Sequence, residues 1–432
     1  MSAERQNLHG SSTAEIISQS IARRYRREAR FKWMGAAAIV VGVLFLLWLL
    51  GTTMLKASTA LSQTYVALDV ELETDEFDLP LSAESIRSAG YGKLIKQALR
   101  SDFPDVKKRK QKKALYNLVS SGAEYSIRDA VLEAPELVGQ THRFWVLADD
   151  EVDMLIKGHI DRALPESSRR LSDQSIQWID QLSSQGRIEK RFNWPFFTSG
   201  DSRDAEQAGI WGAMMGSVFT ILVTMLLALP IGIAAAIYLE EFAPKNKWTD
   251  LVEVNINNLA AVPSIIFGLL GLAILINFFG LPRSVPLVGG MVLALMTLPT
   301  IIISSRAALA AVPPSIREAA LGVGASGVQT VLHHVLPLAL PGILTGSIIG
   351  LARALGETAP LLVIGMVAFI VDIPTGPTDP ATALPVQIYL WADSPERAFV
   401  ERTSAAILVL LAILVSINGV IAVVRTKMEK RW

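Results

Sequence analysis

The sequence predicts an all-α polytopic membrane protein: six membrane-crossing helices, with an α+β domain inserted between the first and the second. Three observations carry that class. Apolar residues make up 51% of the 432 positions, charged residues only 19%, and mean hydropathy is +0.39. Apolar runs long enough to cross about 30 Å of hydrocarbon recur along the chain. One long polar block, 56–208, breaks that rhythm and is large enough for its own core. Formal net charge is zero, so no overall attraction to nucleic acid follows. The absence of cysteine excludes disulfides and thiolate metal sites. His9, His142, His159, His333 and His334 have no metal-ligand spacing, so neither a metal nor a cofactor is expected.

The N-terminal segment 1–33 carries seven Lys and Arg residues, five of them in 23–30. The apolar run 34–55 follows. Its 22 residues exceed the roughly 7–15 of a signal-peptide core, so it reads as an uncleaved anchor with its basic flank in the cytoplasm. In the block 56–208, residues 65–72 alternate, with Val66, Leu68, Val70 and Leu72 on one face, and predict a strand. Residues 144–147 predict a second. Helical spacing marks 82–100, 112–121 and 172–184. The basic run 107–113 lacks interleaved aromatics and reads as the solvated face of a helix rather than a headgroup or nucleic-acid site.

Span two covers 210–239, with Pro230 inside it and Gly212 and Gly216 spaced for close helix approach. A hydrophilic loop, 240–253, leads to span three at 256–279, with Pro263 near its start. A short loop at 281–286 precedes span four, 287–304, with Pro299 inside. A long loop, 305–340, leads to span five, 341–370. The loop 371–403 contains an amphipathic piece at 386–392, and span six is 404–424, followed by the tail 426–432.

Six spans place both termini and the loops 240–256 and 305–340 on one side, with fifteen Lys and Arg residues. The opposite short loops carry Arg283, Arg397 and Arg402. Positive charge marks the cytoplasmic side, so both termini are expected inside and 56–208 outside; long domains translocate regardless of charge.

Span five contains Arg353 and Glu357 in LARALGETAPLL, residues 351–362. A charge at bilayer depth costs about 2.5–3.5 kcal/mol on insertion scales. On one helix the two would share a face and partly neutralise each other. Gly346, Gly350 and Ala354 form a small-residue stripe for a neighbouring helix, and Gly356 and Pro360 flank a point where the helix can break. Two readings follow. The pair locks helices together, or Arg353 offers a two-pronged fork to an oxyanion while Glu357 holds it in the empty site and Thr358 adds a hydroxyl donor.

The stretch 317–337, REAALGVGASGVQTVLHHVLP, is too polar for the bilayer. It predicts a helix at 316–321, a glycine-rich turn at 322–327, and a helix at 328–335 closed by Pro337. Gly322, Gly324 and Gly327 also spell the dinucleotide-binding glycine pattern, but that pattern requires a preceding strand, and the surroundings here are helical. No G-x-x-x-x-G-K-[ST] occurs, so the chain is expected not to hydrolyse ATP itself and not to be an enzyme. Glu318, Ala319 and Ala320, then Gly324, then Leu336 and Pro337, resemble the EAA coupling loop of ABC-importer permeases. His334 stands where that family usually has an apolar residue.

From about residue 196 to 425 the chain resembles, more narrowly, the PstA-type permease subunit of bacterial phosphate ABC importers. The matching segments are FFTSGD, LPIGIAAAIYLEEFAP, AVPSIIFGLLG, PPSIREAALGVGAS and LPGILTGSIIGLARALGETAPLL. The resemblance implies an ABC-importer permease fold in the bacterial inner membrane. It implies a second permease subunit, a dimer of ATP-binding subunits docked on the coupling residues, and a periplasmic phosphate-binding protein. It links Arg353 and Glu357 to phosphate passage, with Arg306 at the cytoplasmic end of span four as a further candidate. Importers of sulfate, molybdate or phosphonate, or a membrane sensor with a degenerate permease core, stay open as alternatives. The family usually has a short loop where this chain has 56–208.

Overall fold

The computed structural model describes residues 13–77 and 81–428. The outermost ends of the two expected cytoplasmic segments, 1–12 and 429–432, lie outside the described residues. The chain divides into two compact units, meeting between Leu55 and Lys56.

The first unit is the greater part of one helix, α1 (Thr13–Ala60), longer at both ends than the apolar run 34–55. Its N-terminal extension is rich in Arg, Glu and Ala and free of Pro and Gly, which favours unbroken winding.

The second unit opens with a soluble part. Its elements are β1 (Ser62–Glu71), α2 (Ala83–Ser88), α3 (Tyr91–Asp102), α4 (Arg109–Tyr116), α5 (Ala123–Glu133), β2 (Thr141–Leu147), α6 (Asp150–Lys157), α7 (Asp173–Ser184), β3 (Ile188–Phe192) and α8 (Trp194–Thr198). The three strands form an antiparallel sheet with β1 central, Tyr65 opposite Leu147 on one side and Glu189 on the other. The alternation in β1 is realised: Val66, Leu68, Val70 and Leu72 are all buried. The predicted helix 82–100 is two, divided at Ala89 and Gly90. The basic run 107–110 is exposed and leads into α4. α5, α6 and β3 were not anticipated. The core is not the domain's own either. The same apolar cluster that holds Leu68, Leu99 and Ile127 continues through Phe196 and Ile210 to Leu384, Phe399 and Ala406.

The remaining elements are α9 (Trp211–Ile237), α10 (Lys247–Ala260), α11 (Ser264–Gly271), α12 (Pro286–Ala310), α13 (Pro314–Gly322), α14 (Gly327–Thr330), α15 (Leu336–Gly356), α16 (Ala359–Val363), α17 (Leu384–Ala392) and α18 (Ala398–Met428). Among the described residues five helical stretches are long and apolar enough to cross a membrane, and α10 with α11 forms a sixth candidate bent by 100°. Three expectations need correction here. The stretch 240–253 is not a loop: α10 starts inside it, capped by Asn246, which accepts from Trp248 N and Thr249 N. Span three is not one rod. Ala261 and Val262 precede Pro263, and a residue before proline is pushed out of the helical region. Span five is displaced towards the N-terminus, running over Gly327–Gly356 rather than 341–370.

That displacement has a local cause. A widened, π-type turn at Val331–Val335 joins α14 to α15. In regular winding the Pro337 ring would strike the carbonyl four residues earlier, at His333. The widened turn covers that residue, so Pro337 sits in the first turn of α15 instead of ending a helix. The small-residue stripe packs as predicted. A methyl group at Gly346 would collide with Ser304, and Gly350 faces Ile301 and Thr297, so α15 lies tightly on α12. Gly216, in contrast, meets the backbone carbonyl of Thr382 rather than another helix.

Candidate functional site

The loop between α12 and α15 is built to hold one shape. At the end of α13, Ala325 N donates to Ala320 O at 3.1 Å and Gly324 N donates to Leu321 O at 3.0 Å. Gly324 has φ +91°, the left-handed conformation this helix ending requires. Two residues later Ser326 and Gln329 cap each other's backbone and start α14. The S-x-x-Q spacing is a helix-start signal that the sequence alone carries.

Arg317 braces the loop from inside. Its guanidinium donates to Leu309 O and Val312 O, at the C-terminal end of α12, and to both carboxylate oxygens of Glu241 in a wide turn, Tyr238–Phe242, that follows α9. One planar fork thus joins three elements. Outside this brace large apolar side chains stand exposed among polar ones. Leu321, Val323, Val328 and Leu332 are exposed, Val323 by 85%. Glu318, Ala319, Gly324 and Pro337 are exposed as well, Leu336 is half-buried and Ala320 is buried. His333 and His334 point outward. Four large apolar side chains exposed on one short segment are a feature of surfaces that take a protein partner. The segment before Gly322 is helical, with no strand to support a dinucleotide site.

The residues singled out in the membrane are placed differently from the prediction. Arg353 is exposed on the last turn of α15. That helix ends at Gly356, and Glu357 is its cap, in extended backbone with ψ 123°. The two do not share a helical face, and among the described residues no ion pair joins them. Thr358, half-buried, starts α16. Arg306, near the end of α12, is held by Glu240 at 3.3 Å and Glu253 at 2.9 Å. Gly342 faces Ala308 and Gly346 faces Ser304, so Arg306 lies level with about residue 344 of α15. Arg353 is nine residues further on, roughly 14 Å along the axis. The structure does not bring the two arginines together.

The start of α18 also departs from expectation. Arg402, counted as a loop charge, is 1% exposed, and Glu401, Thr403 and Ser404 are buried with it. The partners of Glu401 and Arg402 lie in β1, α6 and the segment before α9. Nothing in the local sequence distinguishes such residues from a solvated helix end.

Membrane-length helices, a bent pair and an internally braced loop with exposed apolar side chains define a polytopic protein of the transport-permease class. Residues 228–430 match the family model described as the inner membrane component of binding-protein-dependent transport systems, and residues 18–166 match a domain of unknown function. The phosphate transport system permease protein PstA 1 of Mycobacterium tuberculosis is 30% identical over 223 residues, covering 52% of this chain and 72% of that protein. PstA of Mycobacterium leprae is 31% identical over 229 residues, with 53% and 74% covered. The probable ABC transporter permease YqgI of Bacillus subtilis is 33% identical over 187 residues, and the match spans 43% of this chain and 60% of that relative. Among solved structures, one of the MetNI methionine ABC transporter aligns over 51% of this chain and 95% of its own, at 19% identity and a TM-score of 0.41. The chain belongs to the binding-protein-dependent transport permease family that includes the PstA proteins.

Proposed function

We propose that the chain is a membrane permease subunit of an ATP-driven importer of inorganic phosphate. The observation that carries this reading is the kinship of its membrane region to PstA permeases, at 30–31% identity over two thirds or more of their length. ATP hydrolysis belongs to a separate subunit pair docked on the exposed rim of α13 and α14, with Glu318 as its polar handle. A second permease completes the pathway against the exposed face of α15, and a periplasmic binding protein delivers phosphate. Both termini and the coupling loop are cytoplasmic, as the excess of Lys and Arg there favours, and 56–208 is periplasmic.

In this reading Arg353 stands open on α15 because its counter-charge is the passing anion, and Glu357 and Thr358 sit beside the break after Gly356. Site affinity is low, since an ion that must leave inward cannot be held tightly. Arg306, already held by two carboxylates, serves as a fixed positive point near the cytoplasmic end. The test is labelled-phosphate uptake at low phosphate in cells with and without the chain, with excess sulfate or molybdate as competitor. Loss of competitor-resistant uptake on deletion is the expected outcome. Unchanged uptake in cells lacking a duplicate system sinks the phosphate reading and leaves another oxyanion or a non-transport role.

A further inference from the structure

The first turn of α18 is charged, buried and tied to the soluble part by a closed ring of contacts. Arg402 Nη1 donates to Ala208 O and Nη2 to Gln63 Oε1, each at 2.8 Å. Gln63 lies on β1 and is fully buried. Next to it Thr64 donates through N and Oγ1 to Asp153 Oδ1 of α6, at 2.9 and 2.6 Å. Asp153 Oδ2 holds Lys157 Nζ at 2.6 Å, and the same ammonium holds Glu401 Oε1 at 2.6 Å. The path leaves α18 at Arg402 and returns to it at Glu401.

Two carboxylates, one ammonium and one guanidinium balance in charge, yet all are almost wholly removed from water. Burying ion pairs costs more desolvation than apolar side chains of the same size, so stability alone does not call for them. What a ring of this kind supplies is one permitted geometry. Two atoms in it, Glu401 Oε2 and Arg402 Nε, have no hydrogen-bond partner, and His159 Nε2 stops 3.6 Å short of the former.

We propose that Glu401 and Arg402 are positioning residues through which the 56–208 domain sets the outer end of α18, making that domain a working part of the transport machinery. This rests on the transport reading above. The domain's core runs without interruption into α17 and α18, as a fixed part requires and a tethered sensor does not.

The test uses the full chain assembled with its importer in vesicles. Lys157→Met with Glu401→Leu removes one charge of each sign and leaves Asp153 and Arg402 balanced. The expected result is normal assembly, unchanged KM for phosphate, persistent ATP hydrolysis, and maximal uptake per assembled complex lowered about tenfold. Parental uptake in this variant overturns the proposal. Should the double variant not accumulate, Arg402→Lys replaces it. Lysine keeps the charge but cannot span Ala208 O and Gln63 Oε1 together, so the same drop in maximal rate is expected, and a parental rate again overturns the proposal. Absence of phosphate uptake with the unaltered chain would instead count against the transport reading.

Discussion

Arg353 illustrates how far a single residue can be read. Its cost in the bilayer made it conspicuous in the sequence, and its exposure on α15 agrees with a group awaiting a ligand or a partner chain. The neutralising pair that i,i+4 spacing predicts does not form, because the helix ends at Gly356. If Arg353 lines the pathway, Arg353→Ala lowers phosphate uptake by about a hundredfold, roughly 3 kcal/mol, while co-purification with the ATPase subunits survives. Near-parental uptake would remove the residue from the pathway. A second residue-scale outcome concerns acidity. Asp149 and Glu206 line a cavity of about 480 Å³ together with Glu124, Asp150, Asp204, Glu396 and Lys96. Burial, helped by the charges of Asp150 and Glu206, pushes Asp149 up to about 8. Burial pushes Glu206 up to about 7. Unfolded, both titrate near 4, so between those values the folded chain binds more protons than the unfolded one. Their contribution to stability is complete below about pH 4 and is lost as pH rises through about 7 to 8. The melting midpoint of the soluble part is expected to fall over that rise, with Asp149→Asn flattening the slope. A midpoint that climbs with pH contradicts the assignment.

At the scale of elements, the loop between α12 and α15 shows what local chemistry decides. Its glycine turn and capping box follow from short-range rules, and the first helix and the turn appear within a few residues of their expected bounds, whereas the second helix runs on past Pro337 to Gly356. The brace by Arg317 could not have been read this way, because Glu241 lies 76 positions away in sequence. Arg317→Lys preserves charge but loses the planar fork. If the brace carries movement from the loop to α9 and α12, this variant keeps its ATPase partner and continues to hydrolyse ATP. Phosphate moved per ATP drops about tenfold, consistent with charge-assisted hydrogen bonds of about 1.5–3 kcal/mol. Full coupling in the variant would show that the brace only stiffens the loop. The bend before α11 and the shift of span five share one lesson. Proline was visible in both places, but whether it breaks a helix depends on the backbone around it. Pro263 marks a break, and Pro337 is absorbed by a wide turn.

For the whole molecule, composition and apolar runs are enough to identify a membrane protein with one soluble insertion, and the alternation in β1 is enough to place a strand in it, though not to put that strand at the centre of the sheet. What stayed hidden is the relation of that insertion to the rest. Local patterns describe faces, not which distant face they meet. Gln63, Asp153, Lys157, Glu401 and Arg402 each look like ordinary surface residues in sequence, and only the fold shows that they form one buried assembly. The insertion consequently has to be removed or altered together with the first turn of α18 for its role to be measured. Excision of 58–200 alone would strand Glu401 without Lys157 and leave Arg402 only Ala208 O, and so report on their desolvation as much as on the domain.

The wide turn at Val331–Val335 has a bearing on how this chain can change its length. Such a turn houses one residue more than regular winding would, and each residue of a helix advances its heading by about 100°. The wide turn absorbs that residue, so the glycine stripe and Arg353 beyond it keep the bearing that regular winding would give them. A descendant with one residue fewer inside the turn would wind regularly and still aim the same side chains at the same neighbours. The same deletion anywhere from Leu336 to Gly356 would swing all that follows it a third of the way round the rod.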